Sequence, residues 1–261
     1  MTDDAALDEL RFLTRALRAH LEWQAETGAT GLERAPLGDP RAAATTAAPP
    51  APARPATALV VDPPPWQAPT GDPSRRLSVL AEEVKACTRC GLSAYRKQTV
   101  FARGTGSSGV CFVGEGPGED EDAEGLPFVG AAGQLLDRMI VAMGLDRDEV
   151  YVCNVVKCRP PENRKPEVDE MAACMPYLEE QLELIAPRVI VALGGTAVQG
   201  LFGTTDGITR IRGKWKSLRG IDVMPTFHPA YLLRSPGAKR EVWEDLQEVL
   251  RRIGRSAPAR R

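Results

Sequence analysis

The feature that most restricts this chain is a rhythm that begins near Arg75, where short unbroken apolar runs alternate with longer stretches of helical periodicity. VCFVG (110–114), EVYVCNVVKC (149–158), RVIVALG (188–194) and DVMPTF (222–227) read as strands that are apolar on both faces. Between and around them RRLSVLAEEVKAC (75–87), AAGQLLDRMIVAMGL (131–145), KPEVDEMAACMPYLEEQLELIAP (165–187), the short TAVQGLF and KREVWEDLQEVLRRI (239–253) read as helices, with Gly144 and Pro187 as stops. Strands buried on both sides need helices on both sides. The expected fold is therefore α/β, a three-layer α/β/α arrangement around a central, mainly parallel, four-stranded sheet.

The preceding residues follow a different pattern. Residues 5–23 place Leu10, Leu13, Leu17 and Leu21 at helical spacing, which predicts an N-terminal amphipathic helix within 1–29. Its apolar stripe would pack on the chain's own core, on a second copy or on a protein partner. Residues 30–75 are rich in Ala, Pro and Thr, a composition too poor in buriable surface to order, and read as a disordered linker. Residues 76–253 form the expected functional domain, and 254–261 a basic tail. No apolar run long enough for a membrane span and no secretory leader is readable, so the expectation is a cytoplasmic protein.

Six cysteines are too few to staple a chain of 261 residues, so their spacing is read first for metal binding. Cys87 and Cys90 form a C-x-x-C at the end of a helix. Cys158 is followed by Arg-Pro-Pro, which forces irregular backbone, and Cys174 lies further on. Four thiolates can converge on zinc or on a [4Fe–4S] cluster, and spacing alone does not choose. Cys111 and Cys153 sit inside strand text and are expected to be buried packing residues.

In open α/β sheets ligands bind beyond the carboxyl ends of the strands. Three of those ends carry unusual text: GEGPGEDED (114–122), NVVKCRPPENR (154–164) and FHPAYLLR (227–234). Together with GLPFVGAAGQLL (125–136) and the C-x-x-C at 87–90, these runs resemble, in order and spacing, the family 4 iron–sulfur uracil-DNA glycosylases. The resemblance covers roughly residues 77–253 and leaves 1–75 unexplained.

The resemblance implies an enzyme that turns uracil out of DNA and hydrolyses its N-glycosidic bond, and it selects a [4Fe–4S] cluster on Cys87, Cys90, Cys158 and Cys174. It also implies that Asn154 reads the uracil edge, Phe128 stacks on the ring and His228 stabilises charge on the departing base. Gly114, Gly116 and Gly118 would let main chain approach the base. The best-known glycosylase family carries an aspartate where Gly116 stands here, so Glu115 becomes the candidate for positioning water, with Glu119 to Asp122 in reserve. A related group captures uracil-DNA covalently through an extra histidine in a basic loop; RIRGKWKS contains none, and His20 and His228 are the only histidines. The remaining alternative is a uracil-DNA or DNA-binding module of the same fold without turnover.

A net charge of −2 hides local basic clusters. Lys157, Arg159, Arg164 and Lys165 form one, and Arg210, Arg212, Lys214, Lys216 and Arg219 a second with no acid among them; each is a candidate for phosphate contacts. Leu232 or Leu233 would wedge into the gap left by a flipped base, and Arg234 would reach a phosphate.

Overall fold

The computed structural model describes residues 72–258. The helix expected within 1–29, nearly all of the linker over 30–75 and the last residues of the basic tail lie outside them. The first helix, α1, spans Pro73–Lys85. It starts two residues earlier than periodicity alone predicts, because the Asp72 carboxylate accepts from the Ser74 N–H at 3.0 Å and Pro73 occupies the first turn, where its missing N–H is harmless.

The strands are β1 (Val110–Gly114), β2 (Tyr151–Asn154), β3 (Val189–Leu193), β4 (Lys216–Leu218) and β5 (Ile221–Thr226), in the sheet order β2-β1-β3-β5-β4. The first three and β5 run parallel, as expected. The sheet has five strands rather than four: β4 pairs antiparallel with β5, Lys216 opposite Val223 and Leu218 opposite Ile221. Arg219 and Gly220, both at positive φ (48° and 87°), make the two-residue turn whose twist suits a hairpin. A three-residue, half-exposed strand has no apolar run to announce it, and in the sequence only its Lys216 stands out, as one of a basic cluster.

β2 is also shorter than the text 149–158 suggests. Its neighbour β1 ends at Gly114, opposite Asn154, after which Val155 and Val156 donate to the carbonyls of Gly114 and Glu115 as the chain turns away toward Pro160 and Pro161.

Helices α2 (Glu119–Glu124), α3 (Ala131–Ala142), α4 (Val168–Ile185), α5 (Gly195–Phe202), α6 (Ile208–Ile211), α7 (Pro229–Arg234) and α8 (Lys239–Arg252) complete the described elements, with three single 3₁₀ turns between them. Alternation along β1 sends Cys111 and Val113 into a core with Leu80, Val84, Leu178, Leu182 and Val198 from α1, α4 and α5. Val110 and Phe112 enter the opposite core with Leu136, Ile140, Leu246 and Leu250 from α3 and α8. Each fully buried aliphatic side chain contributes about 1.5–3 kcal/mol of transfer free energy, so these two layers hold the sheet and fix where its strand ends point. Among the described residues no helix is long and apolar enough to cross a membrane.

Candidate active site and cysteine pocket

The carboxyl ends of β1, β2 and β5 open into one cleft enclosing about 1180 Å³ of space continuous with solvent. Glu115 to Gly118 line it from β1, Asn154 from β2, and His228, Tyr231 and Arg234 from the segment after β5; Phe128 closes one wall.

The Phe128 loop is held by acids rather than by apolar packing alone. The Glu121 carboxylate accepts from the N–H groups of Val129 (2.9 Å), Gly130 (3.1 Å) and Gly118 (3.0 Å). The buried Asp122 carboxylate accepts from the Lys97 N–H at 2.9 Å and fastens the neighbouring loop. These bonds keep Phe128 at φ 58°, a left-handed conformation costly for a bulky residue and characteristic of a segment fixed for function. A Cβ on Gly133 would lie 1.9 Å from the Phe128 carbonyl oxygen, so only glycine lets α3 pass this close. The Phe128 ring stacks on the imidazole of His228.

Asn154 is buried, and its Oδ1 has no hydrogen-bond partner although it borders the cleft. Its main-chain oxygen is occupied by the Lys157 Nζ at 2.7 Å. Gly114 lies directly opposite, where a Cβ would come within 2.4 Å of Asn154 Oδ1 and 2.6 Å of Phe128 Cζ.

His228 caps α7: its Nδ1 accepts from the Ala230 N–H at 3.1 Å. With that lone pair engaged, the neutral ring carries its proton on Nε2. Burial, with a smaller contribution from the Arg234 charge, pushes its pKa down to about 4. The ring is therefore a neutral N–H donor at physiological pH.

Glu115 borders this cleft and also an adjoining one of about 560 Å³ behind His228 and Tyr231, and its carboxylate has no partner among the described residues. Three of the four acids held in reserve are otherwise engaged. Glu121 and Asp122 brace loops, Glu119 lies 3.6 Å from Arg159, and Asp120 is exposed. Their bracing role has no full signature in the sequence: Glu121 stands three residues after the helix N-cap and accepts from its N–H, but that N-cap is Gly118, which has no side chain to complete a capping box.

Beneath the end of β2 a second, tight pocket is lined by Cys87, Cys90, Cys158 and Cys174 together with Arg96, Lys157 and Tyr177. All six cysteines are free thiols. Arg96 donates to Cys158 Sγ at 3.1 Å and the Arg89 main-chain N–H to Cys87 Sγ at 3.5 Å. Burial raises the Cys158 thiol and pushes Cys174 up to about 11, so these sulfurs ionise only with a cation to compensate them. Among the described residues no three His, Cys, Asp or Glu side chains are placed to hold a single metal ion. Cys111 and Cys153 lie apart from this pocket, fully buried in β1 and β2.

Residues 101–247 match the family model described as the uracil DNA glycosylase superfamily. The chain belongs to that superfamily. Among its curated relatives, the type-4 uracil-DNA glycosylase of Thermotoga maritima is 48% identical over 179 residues, covering 66% of this chain and 92% of the relative. The type-4 enzyme of Sulfurisphaera tokodaii is 45% identical over 182 residues, 66% of this chain and 83% of its own. A type-5 uracil-DNA glycosylase of Pyrobaculum aerophilum is more distant, at 32% over 200 residues. Within the superfamily the chain groups with type 4.

For a member of this superfamily the basic residues matter next, and the structure redistributes them. Lys157 is not a surface contact: it is 1% exposed and folded onto Asn154, because the CRPP turn carries it inward. Arg212 is bound to the buried Asp245 at 2.7 Å, which also accepts from the Thr226 hydroxyl at 2.6 Å. Arg210 pairs with Asp206, Arg219 with Glu179 and Lys165 with Gln199, while Lys216 lies over the Phe202 ring. Arg159 donates to Asn163 Oδ1, and Arg164 holds Glu170 through both terminal nitrogens. Lys214 and Arg234 are exposed without a side-chain partner among the described residues. Of the two wedge candidates, Leu232 is buried at 1% exposure because it faces the core side of α7, whereas Leu233 is 44% exposed.

Proposed function

We propose that this chain removes uracil from DNA by hydrolysing the N-glycosidic bond, leaving an abasic site. The observation that carries the reading is Asn154 Oδ1, a buried acceptor without a donor at the edge of the cleft. Leaving such a group unpaired costs about 1–3 kcal/mol, and a bound base that brings the missing donor relieves it. Uracil N3–H is that donor, and the Asn154 amide N–H meets uracil O4. Cytosine presents the reverse pattern at both atoms, so it leaves buried groups unpaired.

A uracil inside a duplex must first leave the stack, at a cost of a few kcal/mol. In the cleft Phe128 stacks on the flipped ring. As the glycosidic bond breaks, negative charge grows on uracil O2, and the Nε2–H of His228 donates to it. The sugar passes through an oxocarbenium-like state, and Glu115 orients the water that attacks C1′. Gly114 and Gly116 leave room for main chain to approach the base. Lys214 and Arg234 meet phosphates, and Leu233 fills the vacated stack.

We assign a [4Fe–4S] cluster to Cys87, Cys90, Cys158 and Cys174. Four thiols around one pocket, Cys158 and Cys174 buried and Cys87 and Cys90 half-buried, with N–H donors to Cys87 and Cys158, suit a group larger than one ion. Once bound, it supplies a covalent tie between the C-x-x-C segment and the chain leaving β2. Iron and sulfide analysis of the purified protein tests the assignment.

Activity is tested by alkaline cleavage of a labelled oligonucleotide bearing one uracil, with wild type, Asn154→Ala and His228→Ala compared. Cleavage by wild type and its loss in both variants is the expected result. An intact oligonucleotide in the presence of an iron-loaded preparation would leave a binding module without turnover.

A further inference from the structure

Lys157 is a buried cation with an unusual attachment. Its Nζ donates to the main-chain oxygen of Asn154 at 2.7 Å, and no carboxylate among the described residues pairs with it. Burying a cation is expensive unless it is compensated. The Lys157 main chain is pinned through its carbonyl, which accepts from the Val100 N–H at 2.8 Å. Lys157 also lines the cysteine pocket beside Cys158.

The side chain therefore folds back from the cysteine pocket to the end of β2 and grips the residue whose Oδ1 faces the cleft. We propose that Lys157 is a positioning residue that locks Asn154 to the cysteine site, so that the placement of the uracil-reading amide depends on the ligation of the thiols. The proposal rests on the uracil reading of the cleft. Its physical basis is a short path: from Cys158 to Lys157, its covalent neighbour, along the side chain to the Asn154 carbonyl, and on to the amides of Val155 and Val156, which bond Gly114 (3.0 Å) and Glu115 (3.1 Å). Releasing any link lets the end of β2 shift relative to β1, and with it Asn154 relative to Phe128 and His228.

The test uses the iron-loaded full chain with Lys157→Met, which keeps length and removes the donor, and Lys157→Gln, which keeps a donor. Iron content, amide exchange at Val155 and Val156, and kcat and KM on a uracil oligonucleotide are measured. The Met protein is expected to load iron, to exchange those amides faster and to lose kcat/KM by about 10- to 100-fold, the range seen when partners just outside a metal's ligands are removed. The Gln protein is expected to recover both exchange and rate. Wild-type exchange and kcat/KM in a loaded Met protein overturn the proposal, as does a loaded Gln protein showing no recovery. Failure of both variants to load iron also overturns it, by assigning the lysine to cluster assembly alone. If wild type itself leaves uracil-DNA intact, the functional reading fails, while amide exchange still decides the lock.

Discussion

The Phe128 ring lies over the His228 imidazole, with centroids 5.6 Å apart and planes inclined by 30°. One residue reaches this position on a strained loop braced by Glu121, the other at the cap of α7 just beyond β5, so two separate elements build one wall of the cleft. Their contributions to turnover divide. His228→Ala removes a donor to the departing base and is expected to lower kcat by about 100- to 1000-fold with little change in KM. Phe128→Ala removes stacking worth about 1–3 kcal/mol and is expected to act mainly on base binding. Single-turnover rates at saturating enzyme, compared with KM, separate the two; equal kcat losses in both variants would contradict the division.

The protonation of His228 gives a second prediction. Burial holds its pKa near 4, below the ordinary 6.5. Above pH 6.5 neither folded nor unfolded chain protonates the ring. Between 6.5 and 4 the unfolded chain takes up a proton that the folded chain refuses, so this residue makes stability fall as pH drops through that window. Nitrogen NMR of the imidazole, with His20→Gln to remove the other histidine, should show the Nε2–H tautomer unchanged from pH 8 to about 5. A titration centred near 6.5 would mean that the ring is not held neutral by its surroundings.

Gly114 offers a third test, of geometry without chemistry. The smallest possible side chain there would press on Asn154 Oδ1 and Phe128 Cζ at 2.4 and 2.6 Å, so one of them must move. Gly114→Ala is expected to destabilise the fold by about 1–3 kcal/mol, as overpacking does. It is also expected to cut activity on uracil-DNA by more than tenfold with iron content intact. Thermal melting and the oligonucleotide assay together check this; wild-type rates would show that the cleft tolerates displacement of Asn154.

How much of this was legible in the sequence depends on the reach of each interaction. The parallel strands were readable because burial on both faces leaves unbroken apolar runs, and Asn154 and His228 stood out because they follow such runs directly. β4 was not readable, since a strand of three residues is made by its turn and its neighbour. Nor was the fate of the basic residues: Lys157 and Arg212 look like surface charge until the fold delivers the Asn154 carbonyl to one and Asp245 to the other. Leu232 and Leu233 are adjacent in sequence, yet one is buried and the other exposed, which only the docking of α7 decides.

That redistribution of charge makes the last prediction. Arg212 is 17% exposed at its side chain and Asp245 4%, and the pair fastens α8 to the turn before β4 while the Thr226 hydroxyl bonds the same carboxylate. Removing one partner of a buried pair strands the other, at about 3–5 kcal/mol. Arg212→Ala should therefore melt much earlier yet leave the salt dependence of DNA binding unchanged in the fraction that stays folded. Lys214→Ala and Arg234→Ala should do the opposite, leaving melting nearly unchanged while each lowers the slope of log K against log salt by about 1. Binding titrations at several salt concentrations beside thermal melts separate the two classes. A reduced salt slope for Arg212→Ala, with normal melting, would return that residue to the DNA surface.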